Sequence, residues 1–131
     1  MAEPVVLVID DEPQLRSNLR DCFEDYGFTV LTAICAEDAL EMLLREKVDA
    51  CTVDIRLPGM TGNEFIAKAS RMRPQLKFVI YTGSWNYEIP GDLANAGVTP
   101  EEIFNKPCED PEIIARTIER LIARGAAAPR H

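Results

Sequence analysis

The amino-acid sequence predicts an α/β fold, in which one parallel sheet carries helices on both faces. Two observations lead to this prediction. Five short runs of apolar, largely β-branched residues have the length of buried strands, and the stretches between them repeat apolar residues at helical spacing. Strands and helices that alternate in this way form a parallel sheet joined by right-handed crossovers. The predicted strands cover residues 4–9, 28–33, 48–53, 76–81 and 102–105.

The first predicted strand ends in three consecutive carboxylates, Asp10, Asp11 and Glu12. Pro13 follows them, and proline is well suited to the first turn of a helix because its missing N–H would have no partner there. We predict a helix over residues 13–26 that ends at Gly27. Its inward-facing residues would be Leu15, Leu19, Cys22, Phe23 and Tyr26.

The second strand alternates only weakly between apolar and polar residues. Helical spacing returns directly after it, which predicts a second helix over residues 36–46. Its inward-facing residues would be Ala39, Leu40, Leu43 and Leu44. The order of elements up to this point is therefore βαβα.

The third strand is short, nearly apolar and ends at Asp54. Leu57, Pro58 and Gly59 stop regular structure soon afterwards, so Asp54 lies at the carboxyl end of its strand. Ligands of open parallel sheets bind in the crevice beyond those ends. A third helix follows over residues 61–72, with Phe65, Ile66, Ala69 and Met72 facing inward.

The fourth strand ends at Thr82, which Gly83 and Ser84 follow. Pro90 and Gly91 disfavour a long helix in the next stretch, so the fourth helix is predicted over residues 92–96 only.

The fifth strand ends at Lys106, and Asp110 and Pro111 then open the last helix with a capping side chain and an N-terminal proline. Gly125 is predicted to end that helix. Its apolar stripe would be Ile113, Ile114, Ile118, Leu121 and Ile122.

Length and composition predict one domain over residues 4–124 and a disordered tail over residues 125–131. With 14 basic and 22 acidic residues the net charge is −8, which argues against direct binding of nucleic acid or of anionic membranes. No apolar run reaches the roughly 20 residues of a membrane-spanning helix, and the N-terminus lacks the basic start of a signal peptide, so we expect a cytoplasmic protein. Four scattered cysteines and one terminal histidine predict neither disulfides nor a zinc site.

Polar side chains follow four of the predicted strands, where they would share one edge of the sheet. They are Asp10, Asp11, Asp54, Thr82 and Lys106. Crowded carboxylates resist ionisation unless a cation neutralises them, which predicts a site for a hard ion such as Mg²⁺. A carboxylate beside Mg²⁺, a lysine and a hydroxyl can attack a phosphoryl group, and Asp54 would be the nucleophile.

Four segments in succession resemble those of response-regulator receiver domains. They are DDE at 10–12, DIRLPGMTG at 54–62, TG at 82–83 and KP at 106–107, and the resemblance covers about residues 5–124. It implies a flavodoxin-like, doubly wound fold with strand order 2-1-3-4-5. It also implies a single-domain receiver of the chemotaxis-regulator kind, which catalyses only its own phosphorylation and dephosphorylation.

The resemblance implies a role for each matching residue. Asp54 would accept a phosphoryl group from a histidine kinase or a histidine phosphotransfer protein, and Thr82 and Lys106 would bind the phosphoryl oxygens. Mg²⁺ would be bound by Asp11, by Asp54 and by the backbone carbonyl of Arg56, with Asp10 acting largely through water.

The sequence departs from the receiver pattern in two places. Receivers usually carry a switch aromatic three residues before the lysine, where this chain has Ile103; Phe104 follows and is predicted to point into the core. The span from Gly97 to Lys106 is about two residues longer than usual. We therefore expect the switching surface to differ from that of other receivers.

Other functions remain open from the sequence. A Mg²⁺-dependent phosphohydrolase that forms an aspartyl-phosphate would need an aspartate where Arg56 stands, and a flavin carrier would need a Ser/Thr/Gly-rich loop after the first strand. An interaction module that gains no phosphate is a further alternative. The chain could also be a receiver excised from a larger hybrid kinase or transcription factor.

Overall fold

A computed structural model describes residues 3–84, 87–95 and 97–127 of the chain. Across these residues, five parallel strands form one sheet in the order β2-β1-β3-β4-β5, which confirms the predicted fold class. The strands are β1 (Val5–Ile9), β2 (Thr29–Ala33), β3 (Ala50–Val53), β4 (Lys77–Thr82) and β5 (Ile103–Asn105).

Helices connect the strands at nearly the predicted positions. They are α1 (Pro13–Tyr26), α2 (Ala36–Arg45), α3 (Gly62–Met72), α4 (Gly91–Asn95) and α5 (Glu112–Ala127), with a short 3₁₀ turn at Pro100–Glu102. Gly27 ends α1 in the left-handed region, at φ 112°. Asp110 caps α5, since its carboxylate accepts a hydrogen bond from the Glu112 N–H at 3.2 Å. Ala96, the last residue of the predicted fourth helix, lies outside the described residues.

The sheet separates two apolar clusters, because neighbouring residues of a strand point to opposite faces. Leu7 of β1 joins the cluster that α2, α3 and α4 cover, whereas Val8 joins the cluster under α1 and α5. The first cluster is centred on Phe65 and Ile66 of α3, and both are fully buried. Helices therefore cover both faces of the sheet, as the sequence predicts.

Three details near the ends of helices differ from the predictions. Leu44 is 70% exposed and Ile113 is 39% exposed, although both were predicted to face inward. Each lies at the edge of its helix's apolar stripe, which in α2 follows Ala39 and Leu43 and in α5 centres on Ile114 and Ile118. The prediction that Gly125 ends α5 is also wrong, because the helix continues to Ala127. Residues 128–131 of the predicted tail lie outside the described residues.

Two further expectations concern the chain as a whole. All four cysteines are free, and the sequence predicted no disulfide framework; they are Cys22, Cys35, Cys51 and Cys108. Among the described helices, none combines the length and the apolar character needed to cross a lipid bilayer.

Candidate functional site

Four carboxylates meet at the carboxyl edge of the sheet. Asp10, Asp11 and Glu12 follow β1 and Asp54 follows β3, and each offers an oxygen that lies within 4.8 Å of the others. The two strands are adjacent, with Ile9 paired to Val53, so the residue after each strand reaches the same point. Asp10 and Asp54 are buried, whereas Asp11 and Glu12 are exposed.

Each of the two buried aspartates is oriented by a backbone N–H group two residues further along the chain. Asp10 Oδ1 accepts a hydrogen bond from the Glu12 N–H at 2.9 Å, and Asp54 Oδ1 accepts one from the Arg56 N–H at 3.0 Å. Each side chain thus bonds the backbone two residues ahead, a local turn that aspartate favours. The second oxygen of each carboxylate points to a shared partner.

That shared partner is Lys106. Its Nζ lies 2.9 Å from Asp10 Oδ2, 3.0 Å from Asp54 Oδ2 and 3.5 Å from Glu12 Oε1. Burial opposes the charge on Lys106, but the hydrogen bonds from its Nζ to Asp10 and Asp54 outweigh burial and raise its pKa above the usual range. The lysine is therefore a fixed positive charge within the acidic cluster.

For Asp10, unlike Lys106, burial outweighs the other influences on the pKa. It raises the pKa of this carboxyl above the ordinary value, even though the Lys106 ammonium and the Glu12 N–H favour the charged form. In the folded protein the charged form of Asp10 is therefore less favourable than that of a solvent-exposed aspartate.

Thr82 ends β4 at the same edge, as predicted. Its side chain is fully buried, and its Oγ1 accepts a hydrogen bond from the Ser84 N–H at 3.1 Å. Its backbone carbonyl accepts from the Lys106 N–H at 2.9 Å, so β4 and the residue after β5 are joined directly.

The loop after Asp54 turns back tightly onto the end of β3. The Gly62 N–H donates to the Ile55 carbonyl at 3.0 Å, and a Cβ at Gly62 would lie 2.4 Å from the Asp54 carbonyl oxygen and 2.8 Å from the Ile55 Cα. Only glycine fits this approach. Glu37 of α2 steadies the loop, since its Oε2 accepts from the Met60 N–H at 3.2 Å. The Arg56 side chain, within the same loop, is exposed to solvent.

Two residues belong to the site although no role was predicted for them. Glu12 joins the carboxylate cluster, and its place directly after Asp11 was the available signal. Tyr81 is buried, its hydroxyl oxygen accepts from the Cys108 N–H at 3.0 Å, and Lys106 Nζ lies 5.5 Å from its ring centroid. This second contact depends on the pairing of β4 with β5 and carried no signal in the sequence.

The structure also describes the two places where the sequence departs from the receiver pattern. Ile103 and Phe104 are both half-buried and pack on opposite faces of the sheet, Phe104 in the cluster under α1 and α5, which confirms its predicted inward direction. The longer span before Lys106 contains the 3₁₀ turn, where Thr99 and Glu102 cap each other.

The donor set fits a hard divalent cation. All four acidic groups offer oxygen, the ligand atom that Mg²⁺ prefers, and the burial of Asp10 and Asp54 makes a neutralising charge favourable. The exposed Asp11 and Glu12 leave one side of the cluster open to solvent and thus to a ligand.

Comparison with known proteins points in one direction. The family model described as "Response regulator receiver domain" matches residues 6–118. Alginate biosynthesis transcriptional regulatory protein AlgB of Pseudomonas putida is 30% identical over 123 residues, which are 94% of this chain and 27% of that protein. Hydrogenase transcriptional regulatory protein HoxA of Cupriavidus necator is 30% identical over 132 residues, 98% of this chain and 26% of that protein. The chain spans about a quarter of the length of these relatives.

Solved structures show the same architecture. A CheY-like response regulator receiver domain protein from Methanospirillum hungatei has a TM-score of 0.87 and 25% identity, covering 98% of this chain and all of that one. Chemotaxis response regulator CheY4 of Vibrio cholerae has a TM-score of 0.76 and 28% identity, covering 92% and 99% of the two chains. TrrA of Thermotoga maritima, solved in complex with Mg²⁺ and BeF, shares the fold at a TM-score of 0.79 and 24% identity, covering 90% and 98%.

Proposed function

Because this chain belongs to the response regulator receiver domain family, we propose that Asp54 is its phosphoacceptor in a two-component system or phosphorelay. The observation that supports this most strongly is the geometry around Asp54. Its carboxylate is buried, one oxygen is held by the Arg56 N–H, and the other lies 3.0 Å from Lys106 Nζ. A nucleophile held in this way already has its attacking group oriented and its charge compensated.

The reaction that fits this site is transfer from a phosphohistidine on a sensor histidine kinase or a histidine phosphotransfer protein. A carboxylate oxygen of Asp54 forms a bond to phosphorus, the phosphorus–nitrogen bond breaks, and the imidazole keeps the electron pair. Lys106 exchanges its contact with Asp54 for one with a phosphoryl oxygen. Thr82, buried at the same edge, offers its hydroxyl to another phosphoryl oxygen.

Within this proposal the acidic cluster binds Mg²⁺. Asp11, Asp54 and the Arg56 carbonyl would be ligands, Asp10 would act largely through water, and Glu12 adds a further exposed carboxylate. When bound, the ion neutralises charge on the phosphoryl oxygens, which is the main requirement of phosphoryl transfer. The raised pKa of the buried Asp10 carboxyl supports a need for added positive charge.

We further propose that the chain is not an enzyme that turns over other substrates. A phosphohydrolase of this chemistry would use an acidic group two residues after the nucleophile, and this chain has Arg56 there, with its side chain in solvent. The chain would catalyse only its own phosphorylation and dephosphorylation.

Partners and location follow as parts of the same proposal. The net charge of −8 favours a protein partner over direct contact with nucleic acid or membrane. Four free cysteines fit a reducing compartment such as the cytoplasm. Because AlgB and HoxA are named transcriptional regulators, the receiver part of such a longer regulator is a second possibility beside a single-domain receiver.

The test is incubation with acetyl phosphate and Mg²⁺, followed by intact mass spectrometry and peptide mapping. We expect one added phosphoryl group, located on Asp54. Rapid release of phosphate from phosphate esters, without a persisting adduct, would indicate the hydrolase. An unchanged mass would contradict the proposal and leave the interaction module that gains no phosphate.

A further inference from the structure

We propose that Tyr81 is a positioning residue that holds Lys106 in place for the phosphoryl group. This inference rests on the proposed function, in which Lys106 binds phosphoryl oxygens. The roles that the family motifs imply involve Thr82 and Lys106, and they leave Tyr81 without one.

The first argument is the way in which the backbone around Lys106 is held. The Lys106 N–H donates to the Thr82 carbonyl at 2.9 Å, and two residues later the Cys108 N–H donates to the Tyr81 hydroxyl oxygen at 3.0 Å. Both acceptors belong to the last two residues of β4, so hydrogen bonds to this strand hold the backbone on both sides of Pro107. These two hydrogen bonds matter because β5, with three residues, is a short strand on which to position the lysine that follows it.

The second argument is the surroundings of the lysine side chain. Its Nζ contacts carboxylate oxygens of Asp10, Asp54 and Glu12. It also lies 5.5 Å from the centroid of the Tyr81 ring, a distance at which an ammonium is attracted to an aromatic face. When the lysine leaves Asp54 for a phosphoryl oxygen, the ring remains as a fixed neighbour.

The tyrosine itself is well fixed. It is 4% exposed and belongs to the apolar cluster under α1 and α5. Burial raises the pKa of its phenol, which therefore remains neutral at pH 7 and keeps its hydroxyl. A buried side chain with both a ring contact and a hydroxyl contact can hold Lys106 in a way that a purely aliphatic residue would not.

A purely structural tyrosine would behave differently from a positioning one. Loss of packing alone weakens every property of the folded site together. Loss of positioning weakens the binding of a phosphoryl group more than the binding of Mg²⁺, because Lys106 contacts phosphoryl oxygens and the carboxylates bind the ion. Two variants separate the contacts: Tyr81→Phe removes the hydroxyl and keeps the ring, whereas Tyr81→Leu removes both.

The experiment measures beryllofluoride affinity at saturating Mg²⁺ and, separately, Mg²⁺ affinity, both by titration calorimetry. We expect Tyr81→Phe to weaken beryllofluoride binding about threefold, as for one lost hydrogen bond, and Tyr81→Leu about tenfold, as the ring contact is lost too. Mg²⁺ affinity should stay within about twofold, which is less than one hydrogen bond contributes. Tyr26→Phe is the matched control, because its hydroxyl bonds Glu119 away from the site.

Nuclear magnetic resonance adds a readout that does not depend on ligand. The Tyr81 ring should shift the Lys106 ε-methylene protons upfield, and this shift should persist in Tyr81→Phe and disappear in Tyr81→Leu. Exchange of the Cys108 amide should become faster in both variants, since both lose the hydroxyl acceptor.

Beryllofluoride affinity that is unchanged in the folded variants would overturn the proposal, and so would an equal loss of Mg²⁺ and beryllofluoride affinity. If Tyr81→Leu fails to fold, Tyr81→Phe alone decides between these results. If the wild-type protein binds no beryllofluoride in the presence of Mg²⁺, the proposed function itself fails, which is a distinct result.

Discussion

The site has two sides that are built in different ways. On the carboxylate side, β1 pairs with β2 over five residues and with β3 over four, and every residue of β3 is buried. On the lysine side, β5 has three half-buried residues, and within the described part of the chain it pairs with β4 alone. The carboxylates are therefore placed by the centre of the sheet. Lys106 is placed by an edge strand together with the charges that it meets and the end of β4.

The sheet therefore supports the carboxylate side of the site more extensively than the lysine side. Asp10 and Asp54 are held by their strands and by the N–H groups of Glu12 and Arg56, and they thereby define where a cation belongs. The following changes test this division, from the largest expected effect to the smallest.

Asp54→Asn removes the proposed phosphoacceptor from the carboxylate side and should abolish phosphorylation, because an amide cannot form an acyl phosphate. The fold should persist, since Asn keeps the shape of Asp and its amide oxygen can still accept the hydrogen bond from the Arg56 N–H. Intact mass after acetyl phosphate treatment and a circular dichroism spectrum measure both properties. Full labelling of the variant at another residue would contradict the assignment of Asp54.

Lys106→Met removes the only charge compensation that the described residues bring within 4 Å of both Asp10 and Asp54. We expect the metal-free protein to lose about 3 kcal/mol of unfolding free energy, because buried carboxylates would then lack a partner. Urea denaturation measures the loss, and Mg²⁺ should restore part of it. Lys47→Met, an exposed lysine outside the cluster, is the control. Equal stability of the two variants would mean that the carboxylate side does not depend on the lysine.

Asp10→Asn should have the opposite sign and raise the metal-free unfolding free energy by roughly 1 kcal/mol at pH 7. Burial raises the folded-state pKa of Asp10 above 3.8, so the folded protein holds this proton more tightly than the unfolded chain does. The group thus contributes stability at low pH, and that stability is lost as pH rises through the folded pKa.

The advantage of Asn over Asp at this position should accordingly be full at neutral pH and shrink as pH falls toward 3.8. Denaturation curves recorded from acid to neutral pH measure it, and the exposed Asp11→Asn serves as the control. An advantage that grows toward low pH would contradict the assigned role of burial.

Arg56→Asn tests the open, solvent side of the cluster. In receivers the residue two after the acceptor influences the access of water to the phosphoryl group. The guanidinium offers no acceptor with which to orient water, whereas an amide does. We expect phospho-Asp54 to decay several-fold faster in the variant, roughly 1 kcal/mol of barrier. A decay course in excess Mg²⁺ measures this, with Arg71→Asn on α3 as the control, and slower decay in Arg56→Asn would refute it.

How far the sequence predicts the molecule also differs between the two sides. Asp10, Asp11 and Asp54 could be placed from the sequence because each follows an apolar strand directly, and parallel strands end at one edge. Two helix ends could also be predicted from local sequence, because Gly27 ends α1 and Asp110 caps the start of α5 as expected.

The surroundings of the lysine could not be predicted in the same way. Thr82 and Lys106 themselves could be placed at strand ends, but the contact of Tyr81 with Lys106 and Cys108 joins β4 to a chain segment about 25 residues further on. Such a contact depends on strand register and leaves no periodic pattern. The exposure of Leu44 and Ile113 was missed for a related reason, since the width of a buried stripe depends on what packs against it.

The close approach of Gly62 to the backbone of Asp54 and Ile55 has a consequence for inherited variation. Any amino-acid substitution at this position adds a Cβ, which would lie 2.4 Å from the Asp54 carbonyl oxygen. A Cβ at Gly83, by contrast, would meet nothing within 4 Å. Among natural lineages that retain signalling, codon 62 should therefore stay nearly invariant while codon 83 drifts, even though neither glycine carries a reactive group.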